Sequence, residues 1–278
     1  MKVNSWVISF LLSFAFITLE IFPAHAQGQM SNIESTDGRL TITETFLPTT
    51  QWVWIKVSKD LSGEDIFVPV VDGQMTKTFY LRFGPGQYNI QIHYTSDSKK
   101  YGSYYTLKKY EISNLDTRDL SFLLPSEQVQ SEDPQIVALA EKLLSGVENE
   151  LDKVKIIHDF VAQQLAYDYA SYNDGTYNKK SYDALSVLRS GVSVCAGYAN
   201  LFAAIGRAAQ LRVAVVHGKG VTTRLTGNHA WNEVLINNEW KSVDVTWDDM
   251  ETLRYKYFLP SEEEFTKDHL EREVRENY

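Results

Sequence analysis

Three residues in the second half of the chain carry the side chains from which a thiol-based catalytic site is built. Cys195, the only cysteine among 278 residues, is followed by His229 and then by Asp244. A cysteine thiolate attacks a carbonyl carbon, a histidine takes and returns the proton, and a carboxylate orients the histidine. The residue types and their order therefore predict acyl-transfer chemistry, provided that the surrounding elements bring them together.

The residues that follow Cys195 have the apolar spacing of a helix. This helix is predicted to run from Cys195 to Gln210 with Leu201, Phe202 and Ile205 facing inward. A helix amino terminus carries partial positive charge and free N–H groups, which favour a thiolate and can hold an oxyanion. The alternative for Cys195 is the usual state of a lone cysteine, a small buried hydrophobic residue without chemistry.

The segments that contain His229 and Asp244 have the pattern of a β-hairpin, with strands predicted at 229–236 and 239–246. Asn237 and Asn238 between them favour a two-residue turn. Counting outward from this turn gives the pairs Ile236–Glu239, Trp231–Asp244 and His229–Thr246. Because side chains alternate along a strand, His229 and Asp244 share a face as diagonal neighbours about 7–8 Å apart. The turn alone thus predicts a contact between carboxylate and imidazole.

A metal site is the other chemistry that these residue types allow. The chain has no closely spaced pair of zinc ligands, so neither a metal nor a cofactor is predicted. His217 is the only other nearby candidate ligand, and its position at the end of a predicted strand favours packing. The adjacent Asp248 and Asp249 are too few ligands to define a calcium site.

Residues 1–26 have the pattern of a signal peptide. Lys2 precedes an uncharged run from Ser5 to Leu19, and the sequence Ala-His-Ala at 24–26 fits the small-x-small cleavage pattern. The run is short for a membrane span. We therefore predict cleavage before Gln27 and a secreted or cell-envelope location, with no membrane span in the mature chain. An uncleaved amino-terminal anchor is the alternative.

Composition and charge restrict the partners of the chain. The sequence has 36 acidic residues against 27 lysines and arginines, a net charge of −9, which gives no field that attracts nucleic acid or anionic lipid. A hydrophobic content of 44% is enough for packed cores. One cysteine allows no intrachain disulfide, so an unpaired thiol in an exported protein indicates a reactive role.

The two halves of the mature chain differ in pattern. Residues 27–125 contain short strands with period-two alternation, at 40–46, 52–57, 77–83 and 88–94, with Gly-Pro-Gly at 84–86 as a turn. This pattern predicts a β-sandwich-like domain that serves as a spacer or binding module. Residues 126–278 begin with a polar linker and contain the candidate residues, so they are predicted to form the catalytic domain.

Further helices are predicted in the second half from capping residues and apolar spacing. They are a helix capped by Asp133 with Pro134 in its first turn, one at Leu151–Leu165, one from Ser181 to Leu188, and a closing helix from Ser261 with Phe265 and Val274 inward. His158 falls between the apolar positions of the second of these, which predicts a surface or rim position.

Three of these segments resemble the transglutaminase-like superfamily, which shares its catalytic core with papain-type cysteine proteases. The resemblance rests on Cys-Ala-Gly-Tyr-Ala at 195–199, on His-Ala-Trp-Asn-Glu-Val at 229–234, and on Trp240 followed by Asp244. It covers roughly residues 151–248. It implies an α+β fold in which a helix that bears the cysteine packs on an antiparallel sheet, in an exported member of the bacterial type.

The resemblance also implies roles for individual residues. Cys195 corresponds to the nucleophile, His229 to the general base and acid, and Asp244 to the residue that orients the histidine. Contacts with substrate are assigned to Trp231, Trp247 and Tyr198. A side-chain donor to the oxyanion is left open among Gln164, Tyr167 and Tyr169.

Together these inferences predict an exported thiol enzyme that cleaves amide or peptide bonds through a thioester. Its substrate is expected to be an extracellular or cell-envelope protein or peptide. Transfer of the acyl group to water is slightly favoured over transfer to an amine. The alternatives are a non-catalytic binding or scaffold protein that retains the core for its shape, and a redox-sensing thiol.

Overall fold

The fold is that of a computed structural model, which describes residues 32–95, 102–222, 226–250 and 255–274. The predicted signal peptide and its cleavage site lie outside the described residues. Within the described ranges, no helix is both long and apolar enough to cross a membrane.

The described residues of the amino-terminal region contain seven strands. They are β1 (Asn32–Ser35), β2 (Arg39–Thr45), β3 (Trp52–Lys59), β4 (Ser62–Pro69), β5 (Gln74–Tyr80), β6 (Gly86–Tyr94) and β7 (Tyr105–Asn114). Five of them form a sheet in the order β1-β7-β6-β3-β4, while β2 pairs with β5 in a separate two-stranded sheet. The strand segments predicted at 40–46, 52–57 and 88–94 are confirmed to within a residue or two, whereas the segment predicted at 77–83 lies three residues too late, since β5 ends at Tyr80. The turn before β6 has Gly84 at φ +79° and Gly86 at φ +120°.

One hydrophobic cluster joins the two amino-terminal sheets. Ile42, Met75 and Phe79 from the smaller sheet pack with Val53 and Ile90, among others, from the larger one. Alternate side chains of each strand point into this cluster, which explains the period-two pattern in the sequence. The sandwich-like description and the domain boundary near residue 125 stay predictions.

The second region contains the helices and the second large sheet. The helices are α1 (Pro134–Leu143), α2 (Glu150–Gln164), α3 (Tyr169–Asp174), α4 (Ala184–Ser190), α5 (Cys195–Ala208), α6 (Val245–Met250) and α7 (Glu262–Phe265). The strands are β8 (Ala166–Tyr167), β9 (Val192–Ser193), β10 (Val213–Val221), β11 (Thr226–Ile236), β12 (Glu239–Val243) and β13 (His269–Val274).

Side-chain caps set the start of several helices in this region. Asp133 caps α1 through the N–H of Gln135, as predicted. The predicted start of α4 at Ser181 is wrong, because Asp183 accepts the N–H of Ser186 and the helix begins at residue 184. The Ser181 hydroxyl instead donates to the Asp183 carboxylate at 2.6 Å. Two residues of similar capping strength lie two positions apart, and the better-placed carboxylate sets the start.

Helix α5 packs on the four-stranded antiparallel sheet, whose order is β12-β11-β10-β13. Leu201, Phe202 and Ile205 are fully buried against residues of β10 and β11 such as Val213 and Val234. Intervening residues of β10 contact a second cluster on the other face of the sheet. The sheet is therefore covered on both sides.

The predicted hairpin is confirmed at its turn and corrected at its far end. Asn237 and Asn238 have φ of 51° and 64°, and Ile236 pairs with Glu239. Pairing stops at Asn232–Val243, after which the chain enters α6. The predicted pair of His229 with Thr246 therefore does not form, because Thr246 is buried in a helix. The strand ends early because the Oδ1 atom of Asp244 accepts the N–H of Trp247 at 3.2 Å and begins the helix.

The predicted carboxy-terminal helix is mostly wrong. Within the described residues 261–274, the helix is limited to Glu262–Phe265, with Ser261 as its cap, and Phe265 is buried as expected. The chain then forms β13, which pairs with β10 in an antiparallel sense. The acid-rich composition favours a helix locally, but the open edge of the sheet provides a hydrogen-bonding partner that local propensity does not report. The side chain of Val274 lies outside the described residues.

The chain therefore has the predicted α+β fold, a sheet-rich amino-terminal region followed by a helix-on-sheet core. Short contacts join the two parts. The Arg82 guanidinium donates to the Pro125 carbonyl at 2.8 Å, and the Tyr80 hydroxyl donates to Glu132 at 2.9 Å.

Candidate active site

Cys195 occupies the first position of α5, with a partly exposed side chain. Its N-cap, Val194, makes no side-chain capping bond, so the first-turn N–H groups are not covered by a cap. The two-residue strands β8 and β9 pair beside it, with Tyr167 opposite Ser193. The predicted placement of the thiol at a helix start is thus confirmed.

Gly197 allows the helix to start so close to β9. A Cβ atom at this position would lie 1.9 Å from the Ser193 hydroxyl oxygen and 2.6 Å from a methyl carbon of Val187. Both distances are too short for any side chain, so this glycine is required by close approach.

His229 and Asp244 are in direct contact. The Nε2 atom of His229 lies 2.6 Å from Oδ2 of Asp244, and both side chains are almost fully buried. The Cys195 side chain lies close enough to the same imidazole to help raise the pKa of His229. Since Nε2 faces the carboxylate, Nδ1 is the nitrogen left for the sulfur. The structure therefore brings together the three residues that the sequence singled out.

Electrostatics at this cluster favour the charged imidazole. Burial acts against the charge of His229, but the Asp244 carboxylate and then Cys195 outweigh it and raise the pKa of His229 to about 10. Burial likewise acts against the charge of Asp244, yet His229 and His269 hold the pKa of that carboxyl well below its usual range. An imidazolium between a thiol and a carboxylate can stabilise a thiolate.

Trp247 covers the outer side of the histidine. Its ring stacks on His229 with centroids 4.7 Å apart and planes 20° apart, and it is partly exposed. Its predicted role as one wall of the substrate groove stays a prediction. Trp231 and Tyr198 are only 2% and 1% exposed, so neither presents surface to a substrate here. Trp231 packs behind the site, and the Tyr198 hydroxyl donates to Asp249 at 2.9 Å.

The remaining polar residues of the histidine segment hold the site together. The Asn232 amide donates to the carbonyls of Ala199 in α5 and Ala214 in β10, at 3.0 and 3.2 Å. Glu233 forms an ion pair with Arg272 of β13. Sequence reasoning did not assign these roles, because they depend on which elements become neighbours.

Two histidines have positions that sequence reasoning missed. His158, predicted at the surface, is completely buried, and its Nε2 atom lies 3.0 Å from Asp248. His269 of β13 lies with Nε2 3.1 Å from the Oδ2 atom of Asp244. The only signal for His269 in the sequence is the residue type, since its segment was predicted to be helical.

The side chains considered for oxyanion binding are separated by the structure. The Gln164 amide is exposed and reaches the Leu188 carbonyl at 3.4 Å. Tyr169 is 54% exposed. Tyr167 is partly buried and lies close enough to Cys195 for the two to interact electrostatically. Of the two tyrosines, Tyr167 is thus the more buried.

One group of residues has the composition of a metal site. The ligand atoms of His229, Asp244 and His269 lie within 4.8 Å of one another. Both imidazoles, however, point Nε2 at the same carboxylate oxygen at hydrogen-bonding distance. Their arrangement is therefore fully accounted for as a hydrogen-bonded cluster. Asp248 and Asp249, considered for calcium, face His158 and Tyr198 respectively.

Comparison with known proteins gives an independent view of this region. The family model for the transglutaminase-like superfamily matches residues 137–245. The kyphoscoliosis peptidases of Homo sapiens and Mus musculus are 29% and 28% identical to the chain over 150 residues. Each match covers 47% of this chain and 22% of the relative, so the chain spans about a fifth of the length of these curated relatives.

Among solved structures, a Cytophaga hutchinsonii protein proposed to be a cysteine protease aligns with a TM-score of 0.41 at 18% identity, over 77% of this chain and 68% of that one. The matched family segment contains the helix that bears Cys195, the strand that bears His229, and Asp244. Residues 137–245 therefore form a domain of the transglutaminase-like superfamily.

Proposed function

We propose that this protein is an exported, cysteine-dependent acyl-transfer enzyme that acts on amide or peptide bonds of proteins or peptides. The observation that carries the proposal is the placement of a partly exposed Cys195 near the His229 imidazole, whose Nε2 atom lies 2.6 Å from the Asp244 carboxylate. Few structural roles require a partly exposed thiol at a helix start beside a buried imidazolium.

The first half of the reaction follows from these positions. The Cys195 thiolate attacks the carbonyl carbon, a C–S bond forms, and the carbonyl π electrons move onto oxygen. The N–H groups in the first turn of α5 stabilise that oxyanion. The His229 imidazolium then gives its proton to the nitrogen as the C–N bond breaks, which leaves an amine and a thioester.

The second half returns the enzyme to its starting state. His229, now neutral, takes a proton from water or from an incoming amine, whose oxygen or nitrogen attacks the thioester carbonyl. The C–S bond breaks and Cys195 leaves as a thiolate. Asp244 keeps Nε2 protonated throughout, so that the other ring nitrogen remains the working one. Because two similar proteins are named as peptidases, transfer to water is favoured over transfer to an amine.

The setting of the reaction is proposed from the sequence. A signal peptide directs the chain to the cell envelope or medium, where its substrates are proteins or peptides. The sheet-rich region at 32–114 contributes to substrate binding. The net charge of −9 does not favour nucleic acid as a partner.

The experiment that tests this function uses p-nitrophenyl acetate as a generic acyl donor. The wild-type protein should release nitrophenol and carry one acetyl group on Cys195, seen by intact mass and peptide mapping. Cys195→Ala should reduce the release rate at least about a thousandfold while the protein remains folded. Addition of a primary amine then shows whether the acetyl group passes to the amine or to water.

Equal release by wild type and Cys195→Ala, with no acetylated protein, would refute the enzyme and favour the binding or scaffold protein.

A further inference from the structure

His269 lies in the candidate site although the triad chemistry does not use it. Its side chain is completely buried, and its two nitrogens face two different carboxylates. Nε2 lies 3.1 Å from Oδ2 of Asp244, and Nδ1 lies 2.8 Å from Oδ1 of Asp268. Because the Asp244 carboxylate can only accept, the contact at Nε2 is a hydrogen bond in which His269 is the donor.

The Asp244 carboxylate is thereby fixed by three donors. Its Oδ2 atom accepts from His229 and from His269, and its Oδ1 atom accepts from the N–H of Trp247. A carboxylate with this set of donors cannot turn without losing at least one charged hydrogen bond. The orientation in which the Asp244 carboxylate accepts from His229 is therefore set partly by His269.

The surroundings of His269 hold this imidazole in place. The ring stacks on Phe265 at 3.8 Å with planes 14° apart, and Trp247 packs on it at 4.4 Å. Asp268, its second carboxylate partner, accepts a 2.8 Å hydrogen bond from the Tyr257 hydroxyl. Packing and hydrogen bonds thus leave the ring one orientation, which is the condition for a group that positions another.

We propose that His269 is a positioning residue of the active site, which holds the Asp244 carboxylate in the orientation that His229 needs. This inference rests on the proposed function, because it gives His269 a purpose only if His229 activates Cys195. The carboxy-terminal strand β13 then supplies the fourth residue of a continuous series, Cys195, His229, Asp244 and His269.

The chain offers a matched control in His158. This residue is equally buried and also bridges two carboxylates, Asp159 at 3.1 Å and Asp248 at 3.0 Å, but it does not contact Asp244. Replacement of either histidine by phenylalanine removes a buried, doubly bonded imidazole. Only replacement of His269 removes a donor from Asp244.

The test measures the rate at which iodoacetamide labels Cys195 at neutral pH in the full chain, with thermal melting as the measure of stability. His269→Phe should slow labelling roughly tenfold, the value of one charged hydrogen bond. His269→Gln, whose amide can still donate to Asp244, should recover most of the rate. His158→Phe should lower the melting temperature but change labelling at most about twofold.

The same replacement made in a His229→Ala protein distinguishes a loss of thiol activation from a change in access to the thiol. In His229→Ala, which has no activating imidazole, His269→Phe should leave the labelling rate unchanged, because His269 acts only through Asp244 and His229. A structural effect on access to the thiol would change labelling in this background as well. If His269→Phe does not fold, His269→Leu provides the same test, since it also removes the donor to Asp244 and has a smaller side chain.

The possible failures are distinguishable. Slow labelling of the wild-type protein that does not depend on His229 would overturn the proposed function itself. Fast, His229-dependent labelling that is unaffected by His269→Phe, or lowered equally by His158→Phe, would overturn only the role of His269.

Discussion

At the scale of single residues, the candidate site places the Asp244 carboxylate between the imidazoles of His229 and His269 in a buried setting. A carboxylate without partners would be very costly at a position as enclosed as Asp244. Two imidazoles and one backbone N–H supply its donors. The stability of the fold and the protonation of His229 are therefore linked.

This link predicts a pH dependence of stability. The pKa of His229 is raised to about 10 in the folded chain, against about 6.5 when unfolded, so its charge contributes fully below pH 6.5. The contribution is lost as the pH rises towards 10. Asp244 has the opposite sign, since its lowered pKa makes its contribution present above about pH 3.9 and lost in acid.

Thermal melting across pH in wild type and His229→Gln measures this effect. The melting temperature of the wild type should fall more steeply than that of the variant between roughly pH 6.5 and 10. Parallel curves over that range would show that His229 is not charged in the folded protein.

Residue types and a turn count predicted the contact of His229 with Asp244, but the strand pairing counted beyond Asn232–Val243 does not form, and Asp244 reaches His229 from the start of α6. His269 was beyond such reasoning. Its contact with Asp244 joins residues 25 positions apart, through a strand that pairs only once the rest of the sheet exists. Its flanking acidic residues favour a helix when considered alone.

At the scale of elements, glycines in β10 leave the space that the site residues occupy. A Cβ atom on Gly220 would lie 2.7 Å from a ring carbon of Trp247 and 3.1 Å from Cβ of His229. Contacts this short force the neighbours to move. Strand β10 therefore sets the position of the His229 ring from the adjacent strand.

The predicted result for Gly220→Ala is a loss of activity that exceeds its loss of stability. We expect the rate of acetyl transfer from p-nitrophenyl acetate to fall about tenfold or more, because displacement of His229 by less than 1 Å is sufficient. Lys219→Ala is the matched control, since its side chain alternates to the other face of the strand. Equal effects of the two variants would contradict this role of Gly220.

Elements were predicted well where one local signal dominates. Asp133 followed by Pro134 places the start of α1, and the Asn-Asn turn places the hairpin. The end of β12 was predicted three residues too late, because Asp244 stops the strand by capping α6. Residue 244 could continue the strand or cap the helix. The contacts of the Asp244 carboxylate with His229 and His269 favour the capping position.

At the scale of the whole molecule, buried polar side chains connect regions that are distant in sequence. Arg207 of α5 is 2% exposed and donates to the carbonyls of Val213 in β10 and Leu124, which precedes the helical region. The helix that bears Cys195 is thus anchored to the sheet and to the segment that leads from the amino-terminal strands. Composition and periodicity predicted both regions, but such cross-connections have no local signature.

Activation of the Cys195 thiol by the His229 imidazole is the basis of the proposed reaction. Labelling of Cys195 by iodoacetamide across pH tests this activation most directly. In the wild type, half-maximal labelling should occur well below the value of about 8.5 for an ordinary thiol, and His229→Ala should move it upward. Slow labelling with the same midpoint near that value in both proteins would contradict the thiolate–imidazolium pair, and with it the proposed enzyme.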